Sequence, residues 1–304
     1  MTPDTKLISL SASAKINLYL HVIKHRQDGY HELDSLVTFA GIHDNIHLTP
    51  TTDLKLFLTG PYRNDLGLEN NNLVIKAAIA LREKTGVNLG ANIVLEKNLP
   101  VASGIGGGSA DCAAVLKGLV QLWKIDINIS DLNQLCLQLG SDIPVCYHGQ
   151  TAFMSGRGEI INNAPTLPSC WLVLVNPGFS LSTRAVFKAR QKILKKNYSQ
   201  SGQFLVSPKT TNQLASLLKE RSNDLTEAAI SLQPEISEVL KALRNTDSVL
   251  LTRMSGSGAT CFGVYDNFSS AKLAAKNISF NYPNWWVRPT PIAEKKEAVN
   301  KKNY

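Results

Sequence analysis

Apolar residues recur at every second position over residues 7–20, 36–39 and 46–58, the period of a half-buried strand. The alternation is interrupted near Ala14-Lys15 and again at Pro50. The spacing changes after Asn71 and Asn72, either of which can cap a helix over residues 73–82 that Gly86 stops. Residues 91–96 alternate again as a strand, and behind a glycine-rich loop an apolar helical run covers residues 113–123. Ser130 predicts the cap of a helix over 131–139 ended by Gly140, and residues 150–161 read as paired short strands around Gly156 and Gly158. Asn162-Asn163-Ala164-Pro165-Thr166-Leu167-Pro168 has the composition of a linker. Beyond it a buried strand over 171–175 ends at Pro177-Gly178, and helices follow over 183–194, 212–219, 224–230 and 234–243. Strands over 248–254 and 261–265, a helix over 269–276 and a strand over 285–287 complete the pattern, and the polar tail from Ala293 is expected to fray. Without any internal repeat, this describes two α+β domains, residues 1–164 and 165–304.

Composition narrows the class. The 304 residues, 43% hydrophobic and 18% charged, suit one large or two medium globular domains with ample core. No apolar run reaches the roughly 18 residues of a membrane span, so no membrane partner is expected. Met1-Thr2-Pro3-Asp4-Thr5-Lys6 lacks a charged-then-apolar signal pattern. The five cysteines, Cys112, Cys136, Cys146, Cys170 and Cys261, are scattered in apolar contexts, which fits reduced thiols and a cytoplasmic location. The net charge of +8 suits either nucleic acid or small anionic ligands. Basic residues are spread, with only short clusters such as Lys195-Lys196 and Lys301-Lys302, and no basic helix is interleaved with aromatics. A small anionic ligand is the better expectation, with no nucleic-acid partner.

The chemistry centres on Pro100-Val101-Ala102-Ser103-Gly104-Ile105-Gly106-Gly107-Gly108-Ser109-Ala110, where four glycines fall within five positions. Glycine allows positive φ and close backbone approach to a ligand, and the following helix offers unpaired N–H groups and its positive dipole end. Together these predict a phosphate site. Ser109 stands where a G-x-G-x-x-G fingerprint needs its third glycine, and the Gly-Lys-Ser/Thr ending of a Walker A loop is missing. Ala14-Lys15-Ile16-Asn17-Leu18 places Lys15 and Asn17 on one strand face. Gly140-Ser141-Asp142-Ile143-Pro144 sets a carboxylate at a tight break with an apolar flank. Met254-Ser255-Gly256-Ser257-Gly258-Ala259-Thr260 is a second glycine loop after a strand. His43-Asp44-Asn45-Ile46-His47 imitates a zinc-protease motif, but its flanks predict strand and turn, which would not put both histidines on one helix face.

Taken in order, the Lys15 segment, the 100–110 loop and Gly256-Ser257-Gly258-Ala259 resemble the three motifs of the GHMP superfamily of small-molecule kinases. Asp28-Gly29-Tyr30-His31-Glu32-Leu33, the Asp142 turn and Gly156-Arg157-Gly158-Glu159 narrow the resemblance to the branch acting on 4-diphosphocytidyl-2-C-methyl-D-erythritol, over residues 10–290. The resemblance implies a two-domain GHMP kinase fold. Its S5-domain-2-like, ATP-binding domain contains a left-handed βαβ unit and lies beside an α/β substrate domain. It implies transfer of a phosphoryl group from ATP, with Mg²⁺, to the 2-hydroxyl of that cytidine diphosphate compound, in non-mevalonate isoprenoid precursor synthesis. By the same resemblance, residues 100–110 wrap the ATP phosphates, helped by Lys97 and Asn72. Asp142 is the base and Lys15 its cationic partner. Tyr30 and Phe187 stack on the cytosine, His31 bonds its polar edge, and Asn17 and Thr183 touch the polyol and diphosphate. The magnesium ligands stay open, with Ser109 a candidate by position only, as does the choice between monomer and homodimer. Other readings are a GHMP kinase for homoserine, mevalonate or a sugar, a basic RNA-binding protein with an S5-like domain, and, on the wrong glycine spacing, a nucleotide-binding oxidoreductase.

Overall fold

The computed structural model describes residues 7–67, 72–193 and 201–293. Asn71, Leu194, both lysine clusters and the tail from residue 294 lie outside the described residues. The first half is a six-stranded sheet built around one long strand. β1 (Ile8–His25) and β2 (His31–Thr51) form an antiparallel hairpin; β2 then pairs with β4 (Gly90–Glu96) at one end and β5 (Ala152–Gly156) at the other. β3 (Leu54–Thr59) runs parallel to β4, with α1 (Leu73–Thr85) as the crossover, and β6 (Ile160–Asn163) closes the far edge on β5.

The expected gap in the first strand is a change of register, not an end. Pairing shifts between Ser13 and Lys15 and again between Asn17 and Tyr19. Such irregularities twist and re-aim a strand without ending it, and here they isolate Lys15 and Asn17 on a short regular stretch. Residues 36–39 and 46–51 belong to one strand, which passes through Pro50 and stops before Asp53.

α2 (Gly107–Leu122) starts six residues before the apolar run that announced it, because Gly107 and Gly108 themselves make its first turn. First-turn N–H groups need no intrahelical acceptor, so glycine there is cheap, and Gly106 enters the helix in the left-handed region at φ 64°. Two further differences follow downstream. α3 (Ile129–Leu139) is capped by Asn128, whose side chain accepts from the N–H of Asp131 at 2.8 Å, and not by Ser130. A short helix, α4 (Ile143–His148), follows at once, with Asp142 at its N-cap.

The second half carries a four-stranded antiparallel sheet in the order β10-β7-β9-β8: β7 (Trp171–Asn176), β8 (Leu251–Met254), β9 (Cys261–Tyr265) and β10 (Trp286–Pro291). Among the described residues five helices accompany it: α5 (Thr183–Arg190), α6 (Thr211–Lys219), α7 (Thr226–Leu232), α8 (Glu235–Arg244) and α9 (Phe268–Asn281). The halves are fused by an apolar seam in which Ile16, Leu18 and Leu36 pack with Leu172, Leu174, Phe262 and Trp286. Backbone bridges Leu20–Asn223 and Ala40–Ile292 cross the same seam. Among the described residues no helix is long and apolar enough to cross a membrane.

In the first half α2 lies against the sheet, with Cys112, Val115, Leu116 and Leu119 packed with Ile46, Leu48, Ile93 and Leu95. Gly118 sets how near it comes: a Cβ there would sit 2.7 Å from Leu10 Cδ1 and would also strike Leu48. Gly118→Val should therefore cost about 1–3 kcal/mol by overpacking. Urea unfolding measures it, and an unchanged midpoint would contradict this close approach.

Candidate active site

The register shift at Ser13 delivers the Lys15 side chain to the mouth of the glycine loop. The Lys15 N–H donates to Ile105 O at 2.8 Å, and its aliphatic stem passes so close to Gly106 that a Cβ on that glycine would meet Lys15 Cβ at 3.1 Å. The ammonium then donates to Asp142 Oδ2 at 2.7 Å. Lys15 is enclosed, with 4% of its side chain exposed, whereas the Asp142 side chain is 38% exposed. The pair thus presents a solvent-facing carboxylate held from behind by a buried cation.

Asn17 lies on the same strand face. Its Nδ2 donates to Ser35 Oγ at 2.8 Å and its N–H to Ser255 Oγ at 3.2 Å. Its Oδ1 is buried without a hydrogen-bond partner and lies beside Gly256, a polar acceptor held ready in the site.

The two glycine loops hold each other. Ser103 O accepts from the Thr260 N–H at 3.0 Å, Gly104 O from Ser255 Oγ at 3.1 Å, and Ala102 O from the Leu181 N–H at 3.2 Å. Gly104, at φ 79°, has no room for a side chain, since a Cβ would lie 2.5 Å from Gly258 O. Pro100, Ser103, Ile105, Gly107 and Ala110 turn inward, whereas Ala102 and Gly108 are exposed and Val101 and Ser109 half-buried. What the loop offers a ligand is backbone: the first-turn N–H groups of Gly107, Gly108 and Ser109, which have no intrahelical acceptor. Thr183 reaches the third motif through a 2.8 Å hydrogen bond between its Oγ1 and Ser257 Oγ.

Similarity to known proteins extends over most of the chain. The family descriptions "GHMP kinases N terminal domain" and "GHMP kinases C terminal" match residues 72–150 and 207–284. The 4-diphosphocytidyl-2-C-methyl-D-erythritol kinase of Paramagnetospirillum magneticum is 48% identical over 284 residues, covering 93% of this chain and 98% of its own. The same-named protein of Parvibaculum lavamentivorans is 46% identical, covering 92% of this chain and 96% of its own. A crystal structure of 4-(cytidine 5'-diphospho)-2C-methyl-D-erythritol kinase superimposes with a TM-score of 0.73 at 30% identity, over 94% of this chain and all of that one. The chain belongs to the 4-diphosphocytidyl-2-C-methyl-D-erythritol kinase family. The fold alone is shared with the L. major mevalonate kinase, at TM-score 0.70 and 14% identity over 97% of this chain and 99% of that one.

Within this family member Lys97 and Asn72, both expected to help hold the nucleotide, also have partners within the fold. Lys97 approaches the glycine loop from inside the fold. It is 1% exposed and lies beneath Gly107, donating to Asp44 Oδ2 at 2.5 Å and Asp111 Oδ2 at 2.7 Å. Asp44 Oδ1 in turn accepts from the N–H groups of Asn98 and Leu99 at 2.6 and 2.8 Å. The ion cluster fastens the start of the loop to β2 from inside. Asn72 has its side-chain oxygen committed to the cap of α1, accepting from the Val74 N–H at 2.9 Å.

The residues expected at the cytosine contact one another and their neighbours. Phe187 stacks on His31 at 4.6 Å and 28°, and His31 meets His25 edge-on at 4.8 Å. Tyr30, 47% exposed, instead carries the Arg157 guanidinium over its ring at 4.7 Å. Of the further residues that hold the site, Asp44 stands in the zinc-like motif and Ser255 in the second glycine loop, whereas Asp111 and Ser35 carry no local sequence signal.

The cluster beneath the loop has one ammonium for two carboxylates. Loss of solvation would by itself lower Lys97, but Asp111 and Asp44 together hold it above the usual lysine value. Loss of solvation pushes Asp111 up to about 8, against the pull of Lys97 and with the help of Asp44. A carboxyl whose folded pKa exceeds its unfolded value near about 3.9 stabilises the fold below that pH and loses the contribution as pH rises through the folded value. Wild type should thus lose stability relative to Asp111→Asn between pH about 4 and 8, a window set by those two pKa values. Urea midpoints across the window measure this; parallel profiles for the two proteins would remove the strain from Asp111.

Proposed function

We propose that the protein transfers the γ-phosphoryl group of ATP to the 2-hydroxyl of 4-diphosphocytidyl-2-C-methyl-D-erythritol. The observation that carries this reading is the Asp142 carboxylate held at 2.7 Å by the buried Lys15 ammonium at the mouth of the glycine loop. In a chain of this family, that places a proton acceptor beside a phosphate-binding backbone.

The accepting hydroxyl is tertiary and crowded, so positioning and proton removal both matter. Asp142 takes the hydroxyl proton as the oxygen attacks the γ-phosphorus and ADP departs. Lys15 supplies positive charge behind that carboxylate and toward the transferring group. The loop over 100–110 cradles the phosphates through its amides, and charge there is stabilised by donors that are already aimed. Asn17 Oδ1, buried and unpartnered, suits a hydroxyl of the polyol, and Thr183 at the head of α5 suits the diphosphate. Tyr30, His31 and Phe187 supply aromatic faces for the cytosine.

Among the described residues no three His, Cys, Asp or Glu side chains gather as a metal site. Magnesium usually keeps several waters and is shared with substrate phosphates, so it would enter here as the ATP complex, and Ser109 in the first turn of α2 is the residue whose position would let it serve as a protein ligand. Bound in that way it neutralises phosphate charge.

ADP release from Mg-ATP tests the reading, with the cytidine compound compared against homoserine, mevalonate and galactose. Turnover is expected only with the cytidine compound. Turnover with another acceptor would replace the substrate, and none with any acceptor would withdraw it. Asp142→Asn should lower kcat by roughly 10²–10⁴-fold while ATP binding stays largely intact, as loss of a general base does. Near-normal turnover would take Asp142 out of the mechanism.

A further inference from the structure

A cavity of about 300 Å³ opens in the second half among α5, α7, α8 and the end of β8, and phosphoryl transfer makes no use of it. Four arginines line it, Arg190, Arg221, Arg244 and Arg253, against the carboxylates of Asp224 and Glu227. Asp224 is already committed: its Oδ2 accepts from the Val22 N–H at 2.9 Å and lies 3.5 Å from Arg190, and its Oδ1 accepts from Ser222 at 3.0 Å. Arg221 donates to Gly202 O and Leu217 O and lies 3.5 Å from Glu220, so Arg244 and Arg253 are the two guanidinium groups left to share Glu227.

Arg253 makes the imbalance acute. It is 8% exposed, and its three hydrogen bonds all go to backbone carbonyls: Leu18 O at 2.6 Å, Leu218 O at 2.8 Å and Arg221 O at 2.6 Å. Among the described residues no carboxylate pairs with it. A buried charge is normally paired, because neutral dipoles compensate its lost hydration only in part. Loss of solvation, with Arg221 adding its repulsion, pulls this guanidinium down to about 10. An anion entering the cavity would supply the missing countercharge through short, charge-assisted bonds.

We propose that this cavity binds a small polyanion, a diphosphate-bearing metabolite, through Arg221, Arg244 and Arg253. Its size is at the lower end for small-molecule sites, which suits a compact ligand more than a whole nucleotide. The site shares its floor with the third motif, because Asn223 lines the cavity while its Nδ2 donates to Met254 O and Gly256 O at 2.8 Å each. A ligand held there would rest on the segment that supports the glycine loop.

Calorimetric titration of the full chain with inorganic pyrophosphate tests the site, with a non-hydrolysable ATP analogue and CDP both saturating so that nucleotide and cytidine subsites are filled. Arg244 is exposed and outside the catalytic machinery, so Arg244→Glu should fold normally. Lys276→Glu on α9 makes the same change of net charge away from the cavity. One pyrophosphate per chain is expected, weakened about tenfold or more by Arg244→Glu, as loss of an arginine–phosphate pair does, and little changed by Lys276→Glu. Absence of binding up to about 10 mM, far weaker than a specific site, would overturn the proposal. So would equal weakening by both variants, or pyrophosphate binding that occurs only when the analogue and CDP are left out. The result does not depend on which acceptor the enzyme phosphorylates.

Discussion

Two backbones meet where the halves of the molecule join: Gly104, from the first half, presses against Ser255 and Gly258 from the second. The hydrogen bonds from Thr260 to Ser103 and from Ser255 to Gly104 fix that contact, and the Lys15 N–H bound to Ile105 O ties the first strand to the same loop. The conformation of the glycine loop therefore depends on the whole seam and not on its own sequence alone. Donors aimed in advance of ligand binding need little reorganisation when charge develops, and that advantage rests here on tertiary contacts. A substituent at Gly104 would push the two halves apart before it affected any ligand.

Lys15 and Lys97 show how one residue type is put to opposite uses. Both are almost fully enclosed and both bind aspartate. Lys15 meets a carboxylate that opens to solvent, so the pair has an accessible face where chemistry can occur. Lys97 meets two carboxylates that are themselves enclosed and serves as a fastening under the loop. Removing one partner from such a closed cluster is costly, because the remaining charges stay buried.

Much of this site could be read from the chain. The glycine spacing, the Lys15 and Asp142 segments and the alternation around them come from local rules, and the strands and helices of the second half lie close to where periodicity put them. The missing parts depend on distant partners. Asp44 was visible only inside a zinc-like motif on a strand, and Asp111 only as one position of an apolar helix; their meaning comes from Lys97, which lies 53 positions from one and 14 from the other. Arg253 looked like an ordinary strand residue because its acceptors belong to Leu18, Leu218 and Arg221. The start of α2 was misjudged because glycine has low helix propensity, a preference that the unpaired first turn and the ion cluster beneath it override. Asn72 and Lys97 were expected to face the nucleotide; the Asn72 side-chain oxygen caps α1 and the Lys97 ammonium holds two carboxylates, links that only the fold reveals.

The five cysteines give the molecule built-in reporters of its own breathing. All are free and buried, Cys112, Cys136 and Cys146 in the core of the first half, Cys170 in the seam and Cys261 in the second half. Burial raises each of these thiols well above its usual range, so the native protein holds little reactive thiolate. A thiol reagent can reach them only when the surrounding layer opens, and the order of modification would separate opening of either core from parting of the seam. The same burial that excludes these sulfurs from chemistry makes each one a clock for the part of the fold that encloses it.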